Sequence, residues 1–250
     1  MLRSSSLFSV LFLFLLPSAS QCLSSTALAD HSAAAAGLFN NMRTPAALIG
    51  GALVPIGILS APTIQREDGK GMRLLKKANI LLGVLSLISE FLAVMYSSIA
   101  INKIAEVAQP KTFGVAQLIA EKHELAWLGT NIHFLLGTMG FALIIGSKSF
   151  FSVGAKLGKV TSAWSFAALF QALAIVNQGI AMGSTNATDE MSSNTLATNF
   201  GMLILKYIRG VVHSSKGGVC GIFAIGISIY AAYETVKTMI VEFDDKERAP

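Results

Sequence analysis

Charge is the scarcest ingredient of this chain. Asp, Glu, Lys and Arg make up 13% of its 250 residues, against roughly a quarter in soluble domains. With 53% apolar residues, a soluble fold would leave too much apolar surface uncovered. The formal net charge of +5 does not point to a nucleic-acid partner, because the basic residues fall in short loops between apolar runs and form no continuous patch. Cysteine is nearly absent. Cys22 and Cys220 stand too far apart in role for a redox pair, Cys22 belonging to the N-terminal leader and Cys220 to a glycine-flanked apolar run. The chain also lacks HExxH, GxSxG, a Gly-rich phosphate loop and any His/Asp/Glu cluster at metal-ligand spacing, so no enzyme is expected. EKHE at 121–124 reads as a solvated helix start, since Glu121, His123 and Glu124 point in different directions on a helix.

What is abundant is long apolar sequence. Asn79 to Ile101 and Leu125 to Gly146 are each long enough to cross a bilayer, as are Ser162 to Gly183 and Gly217 to Val241. Thr44 to Pro62 is a weaker span, interrupted by Pro55 and thinned by Gly50, Gly51 and Gly57. Residues 199–213 are too short to cross and carry Lys206 and Arg209 within apolar sequence, which predicts an interfacial amphipathic helix or an extension of the last span. The expected fold is therefore all-α: a polytopic helical bundle of about five spans, four strong and one weak, plus an interfacial helix. There is no tandem repeat.

The N-terminus has leader chemistry. A basic start, the short apolar run LFSVLFLFLL and the small residues after Pro17 predict a signal peptide over residues 1–20. Residues 21–43 are rich in Ser and Ala with one acid, Asp30, and read as a transit-like or flexible segment. Together the two resemble the bipartite presequence of nucleus-encoded plastid proteins in algae with secondary plastids, with Gln21 where such presequences favour Phe. The resemblance implies a plastid location, thylakoid or envelope. A plain secretory signal followed by a lumenal tail implies an endomembrane instead. The transmembrane domain is expected over 44–241 and a charged tail over 242–250.

Loop charge predicts orientation. The loop with Arg66, Lys70, Arg73, Lys76 and Lys77 and the loop with Lys148, Lys156 and Lys159 should share the cytosolic or stromal face. The segment 102–124 and the sequon Asn186-Ala187-Thr188 fall opposite. Glu234 and Lys237 read as a paired anchor near the end of the last helix.

Polar residues inside the spans mark where chemistry could reside. Asn79, Gly83, Ser86, Glu90 and Ser97 form one helical stripe that should face protein, while Leu82, Leu85, Leu92 and Met95 point elsewhere. Gly129, His133, Gly137 and Gly140 form a second, and Ala167, Gln171, Ala174 and Gln178 a third, so three helices should bring hydrogen-bonding groups to one interior. At about 1.5 Å per residue, Glu90 lies about 16 Å and His133 about 18 Å from the basic face, which predicts a contact between them.

These groups support several functions. The first is inter-helix adhesion in an accessory, assembly or structural subunit of an organellar membrane complex, with the lipid bilayer and other membrane-protein subunits as partners. The second is tetrapyrrole binding, with the cofactor unknown and chlorophyll more plausible than haem, because there is no second intraspan His. Cofactor-binding residues would then be His133, Glu90, Gln171 and Gln178. A Glu–Arg pairing across spans of the light-harvesting type is ruled out, since the spans contain no Arg. The third is small proton-coupled transport using Glu90.

Overall fold

The computed structural model describes residues 28–65, 67–152, 154–182, 196–213 and 218–244. The signal-peptide region, the sequon and the tail beyond Asp244 lie outside them. Among the described residues the fold is all-helical, and its one extended pairing is an isolated antiparallel bridge between Ala29 and Thr112. Helix α1 runs Ser32–Leu53 and continues as a π-helical turn, Val54–Leu59. Then follow α2 (Lys70–Glu106), the short α3 (Val115–Lys122), α4 (Glu124–Ser152), α5 (Ala155–Met182), α6 (Leu196–His213) and α7 (Gly218–Asp244).

Three of these helices are long and apolar enough to cross a membrane: Ser32–Leu59, Lys70–Glu106 and Glu124–Ser152. At 37 residues, α2 is about 55 Å long and so exceeds a hydrocarbon core of about 30 Å at its ends. The first span begins earlier than its hydropathy predicts, at Ser32 within the segment read as transit-like. Ala33 to Ala36 are strong helix formers. Ala35 and Phe39 then bury against Ala100 and Ile104 of α2 and Leu118 and Ile119 of α3, which gives the early turns a tertiary anchor.

Pro55 does not break this helix. It sits at the start of the π-turn, where its carbonyl accepts hydrogen bonds from the Ser60 N–H at 3.1 Å and the Ser60 hydroxyl at 2.7 Å. The neighbouring carbonyl of Ile56 accepts from Lys148 Nζ at 2.9 Å, and that of Thr63 from Lys76 Nζ, also at 2.9 Å. Lys76 pairs in addition with Asp68 at 2.6 Å, and this contact with the Gln65 N–H holds the Asp68 carboxyl below its usual range. The two basic loops therefore share one end of the bundle, as their charge predicts. The other end is closed by the Ala29–Thr112 bridge and by an aromatic cluster of Phe39, His123 and Trp127.

Helices α1, α2 and α4 form the packed centre. On α2 the buried residues are Asn79, Gly83, Ser86, Glu90, Ala93, Ser97, Ala100 and Ile104, which contains the whole predicted stripe, and Leu85 and Met95 are exposed. Backbones approach most closely where Gly83 meets the π-turn: a Cβ on Gly83 would stand 2.9 Å from the Gly57 carbonyl oxygen. Gly154, at φ 81°, turns the chain from α4 into α5. Ser162 on α5 then donates to the Gly146 carbonyl at 2.6 Å.

Candidate functional site

The antiparallel α2–α4 seam sets the site. Each glycine of the predicted α4 stripe is a notch filled by one α2 side chain. A Cβ on Gly129 would lie 2.8 Å from the Tyr96 ring, one on Gly137 would collide with the Glu90 carboxyl, and one on Gly140 with the Ser86 hydroxyl. At the basic end the Asn79 amide donates to Ser147 Oγ at 2.6 Å and to the Ile144 carbonyl at 3.2 Å. The seam is thus a ladder of polar or aromatic groups, one for roughly each turn of helix.

Its densest part joins three helices. Tyr96 of α2 and His133 of α4 stack with ring planes 10° apart and centroids at 6.0 Å, and Tyr207 of α6 stands edge-on to both. The Tyr207 hydroxyl bridges them, 2.9 Å from the Tyr96 hydroxyl and 3.0 Å from His133 Nε2. Two hydrogen-bond directions are possible. Either Nε2–H donates to Tyr207 and Tyr207 donates to Tyr96, or Tyr96 donates to Tyr207 and Tyr207 donates to Nε2; in both, the buried Nδ1 has no partner.

The expected Glu90–His133 contact is not made. Glu90 packs against Gly137, and in that register His133 is level with Ala93, about one turn or 5 Å further along the seam. Similar depth along two antiparallel helices does not fix their register, and the Ser86–Gly140, Glu90–Gly137 and Tyr96–Gly129 pairings set the two residues one turn apart. Neither Glu90 oxygen has a hydrogen-bond partner, although the carboxyl is fully buried. Thr138, the residue after Gly137, brings its hydroxyl near that carboxyl but not into hydrogen-bond geometry.

Of the third predicted stripe, only Ala167 and Gln171 have described side chains. Gln171 is exposed, as is Ala167, because α5 turns Gly158, Ser162 and Leu169 toward its neighbours instead. Period alone could not choose between those two faces. The side chain of Gln178 lies outside the described residues. Among these residues no group of three His, Cys, Asp or Glu side chains is placed to hold a metal ion. The space beside His133 that a flat macrocycle would need is occupied by Tyr96, which fills the Gly129 notch, and by Tyr207.

No protein-family model, curated protein or solved structure matches this chain.

Sequence reasoning missed Tyr96 and Tyr207. Tyr96 carried a usable signal, since a tyrosine within an apolar span needs a partner for its hydroxyl. Tyr207 carried none, because α6 reaches the site by its packing. Phe200 meets the cluster around Leu135 and Leu169, Lys206 pairs with Glu124 at 2.5 Å, and Gly210 meets Leu125, so α6 runs back along the first half of α4. His123 also departs from expectation. It is only 6% exposed, packed against Phe39 and bonded to Gln109 at 3.2 Å, rather than part of a solvated helix start.

Proposed function

We propose that this protein is an integral membrane subunit that supports the assembly or structure of a larger complex in an organellar membrane, with plastid membranes favoured by its leader chemistry. In this reading α5 and α7 are the fourth and fifth spans, at 28 and 27 residues. Helix α6 is an amphipathic element that lies along the first half of α4, tied to its start by Lys206 and Glu124. Partners are lipid and other membrane-protein subunits.

One observation carries the proposal: the division of faces. The small and polar faces of α2 and α4 are used up on each other, whereas α5 and α7 present Trp164, Phe170, Phe223, Ile227 and Tyr230, each more than 60% exposed. Inter-helix polar groups of this kind hold a bundle together rather than open a path through it. The filled notches beside His133 weigh against a pigment carrier, although chlorophyll or haem binding stays the natural competing outcome of the test.

The test is purification of the tagged protein from its native membrane in mild detergent, with an absorption spectrum and a protein inventory of the same fraction. The expected result is a colourless protein recovered with a defined set of membrane subunits. A stoichiometric tetrapyrrole spectrum that disappears in His133→Ala would overturn it.

A further inference from the structure

Three helices meet at Glu90. The carboxyl projects from α2, its Cβ lies 3.5 Å from the position a Cβ would take on Gly50 of α1, and its outer atoms lie against the backbone of Gly137 on α4. Glu90 is fully buried and neither oxygen accepts a hydrogen bond. Among the described residues no charged group faces it: α1 presents Gly50, α4 presents Gly137 and Thr138, and His133, one turn along, has its Nε2 committed to Tyr207.

An ionised carboxylate in this position would have surrendered its hydration shell with no cation in return and only the Thr138 hydroxyl, itself outside hydrogen-bond geometry, nearby. A metal ion is no remedy, because the carboxyl rests directly on the Gly137 backbone and no ligand set accompanies it. A proton needs no such room.

We propose that Glu90 is a proton-binding site, held as a neutral carboxylic acid, and that the bound proton is what allows α1, α2 and α4 to close around it. Releasing the proton leaves an unscreened charge at the three-helix junction. Relief then requires water, which can enter only if α2 parts from α4 at the Gly137 notch. The junction is thus responsive to proton occupancy. This inference draws on the membrane reading for the apolar surroundings alone, and it is independent of which subunits the protein assembles with.

Infrared spectroscopy of the full-length protein in lipid vesicles at pH 7 tests it. Among the described residues Glu90 is the acidic side chain that is fully buried, and Glu234, within α7, is paired with Lys237. The expected spectrum shows the carbonyl band of one neutral carboxylic acid per chain. That band is lost in Glu90→Gln and kept in Glu121→Gln. Glu90→Gln, which copies the shape of the neutral acid without its ability to ionise, should keep the thermal midpoint at pH 7 and abolish the loss of midpoint that wild type shows at alkaline pH. A wild-type spectrum containing only ionised carboxylates overturns the proposal, as does a neutral-acid band that survives Glu90→Gln. Should the Gln variant fail to fold, the wild-type band at pH 7 decides by itself. Co-purification of partner subunits is a separate readout, so failure of the site and failure of the assembly reading are distinguishable.

Discussion

Helices α2 and α7 are both long and apolar, yet they resolve that composition in opposite ways. The buried positions of α2 are small or polar, from Asn79 through Gly83, Ser86 and Glu90 to Ser97, and its large side chains such as Phe91 point outward. Helix α7 exposes Phe223, Ile227, Ile229, Tyr230, Tyr233 and Val236 along much of its described length. In water the second pattern would be a liability. In lipid, large apolar groups gain little by meeting one another, while small residues gain backbone contact and polar ones gain partners. The comparison teaches that the packed part of this protein is organised by close approach and hydrogen bonding, and that its largest apolar side chains are left on the outside.

Crowding the tightest contact is the strongest way to break that contrast. Gly83→Val places a side chain against the backbone carbonyl of Gly57, which cannot rotate away, and overpacking of this kind should cost about 3 kcal/mol or more. A large drop in thermal midpoint in detergent would register it. Gly137→Ala meets the Glu90 side chain, which has some freedom to shift, so about 2 kcal/mol is expected. If Gly83→Val were tolerated like a surface change, the packed-centre account would fail.

Tyr207→Phe sharpens the comparison by removing the hydroxyl that bridges Tyr96 and His133 while keeping the ring. A loss of about 1 kcal/mol is expected, together with a changed His133 imidazole signal in NMR. An unchanged signal would mean that the bridge does not form. By contrast, Phe223→Ala on α7 should alter the stability of the isolated protein by no more than about 0.5 kcal/mol, yet reduce recovery of partner subunits.

The smallest expected effect is a pH dependence at the end of the bundle opposite the basic loops. Burial, and secondarily Lys103, hold His123 below its ordinary value of 6.5. The neutral ring is the form that packs with Phe39 and Gln109. A lowered folded value means that the contribution is fully present above the unfolded value and is lost as pH falls through the folded one. Acidification below about pH 6.5 should therefore speed amide exchange around 107–123 in wild type, and the pH dependence should be missing in His123→Gln.

The α2 stripe was fully legible, because a run of small and polar residues every third or fourth position in an apolar segment has one physical solution. The glycines flanking His133 were legible as notches but not their occupants. A notch in one helix says nothing about which side chain of another will reach it, and a relative shift of one turn exchanges Ala93 for Glu90 as the neighbour of His133. Gln171 shows the same limit from the other side, since α5 has two faces with hydrogen-bonding residues and only the crossing at Gly146 and Ser162 selects between them.

By itself, the order of residues determined that this chain is helical, that 79–101 and 125–146 are long and apolar enough to cross a membrane, and that one face of α2 must be shared with protein, because those outcomes follow from local periodicity and the cost of stranding polar groups in an apolar medium. The register of α2 on α4, the joining of Tyr96, Tyr207 and His133, and the isolation of Glu90 at a three-helix junction were decided only in the tertiary structure. They depend on where helices far apart in sequence come to rest against one another, and a shift of a single turn would have produced a different site from the same residues.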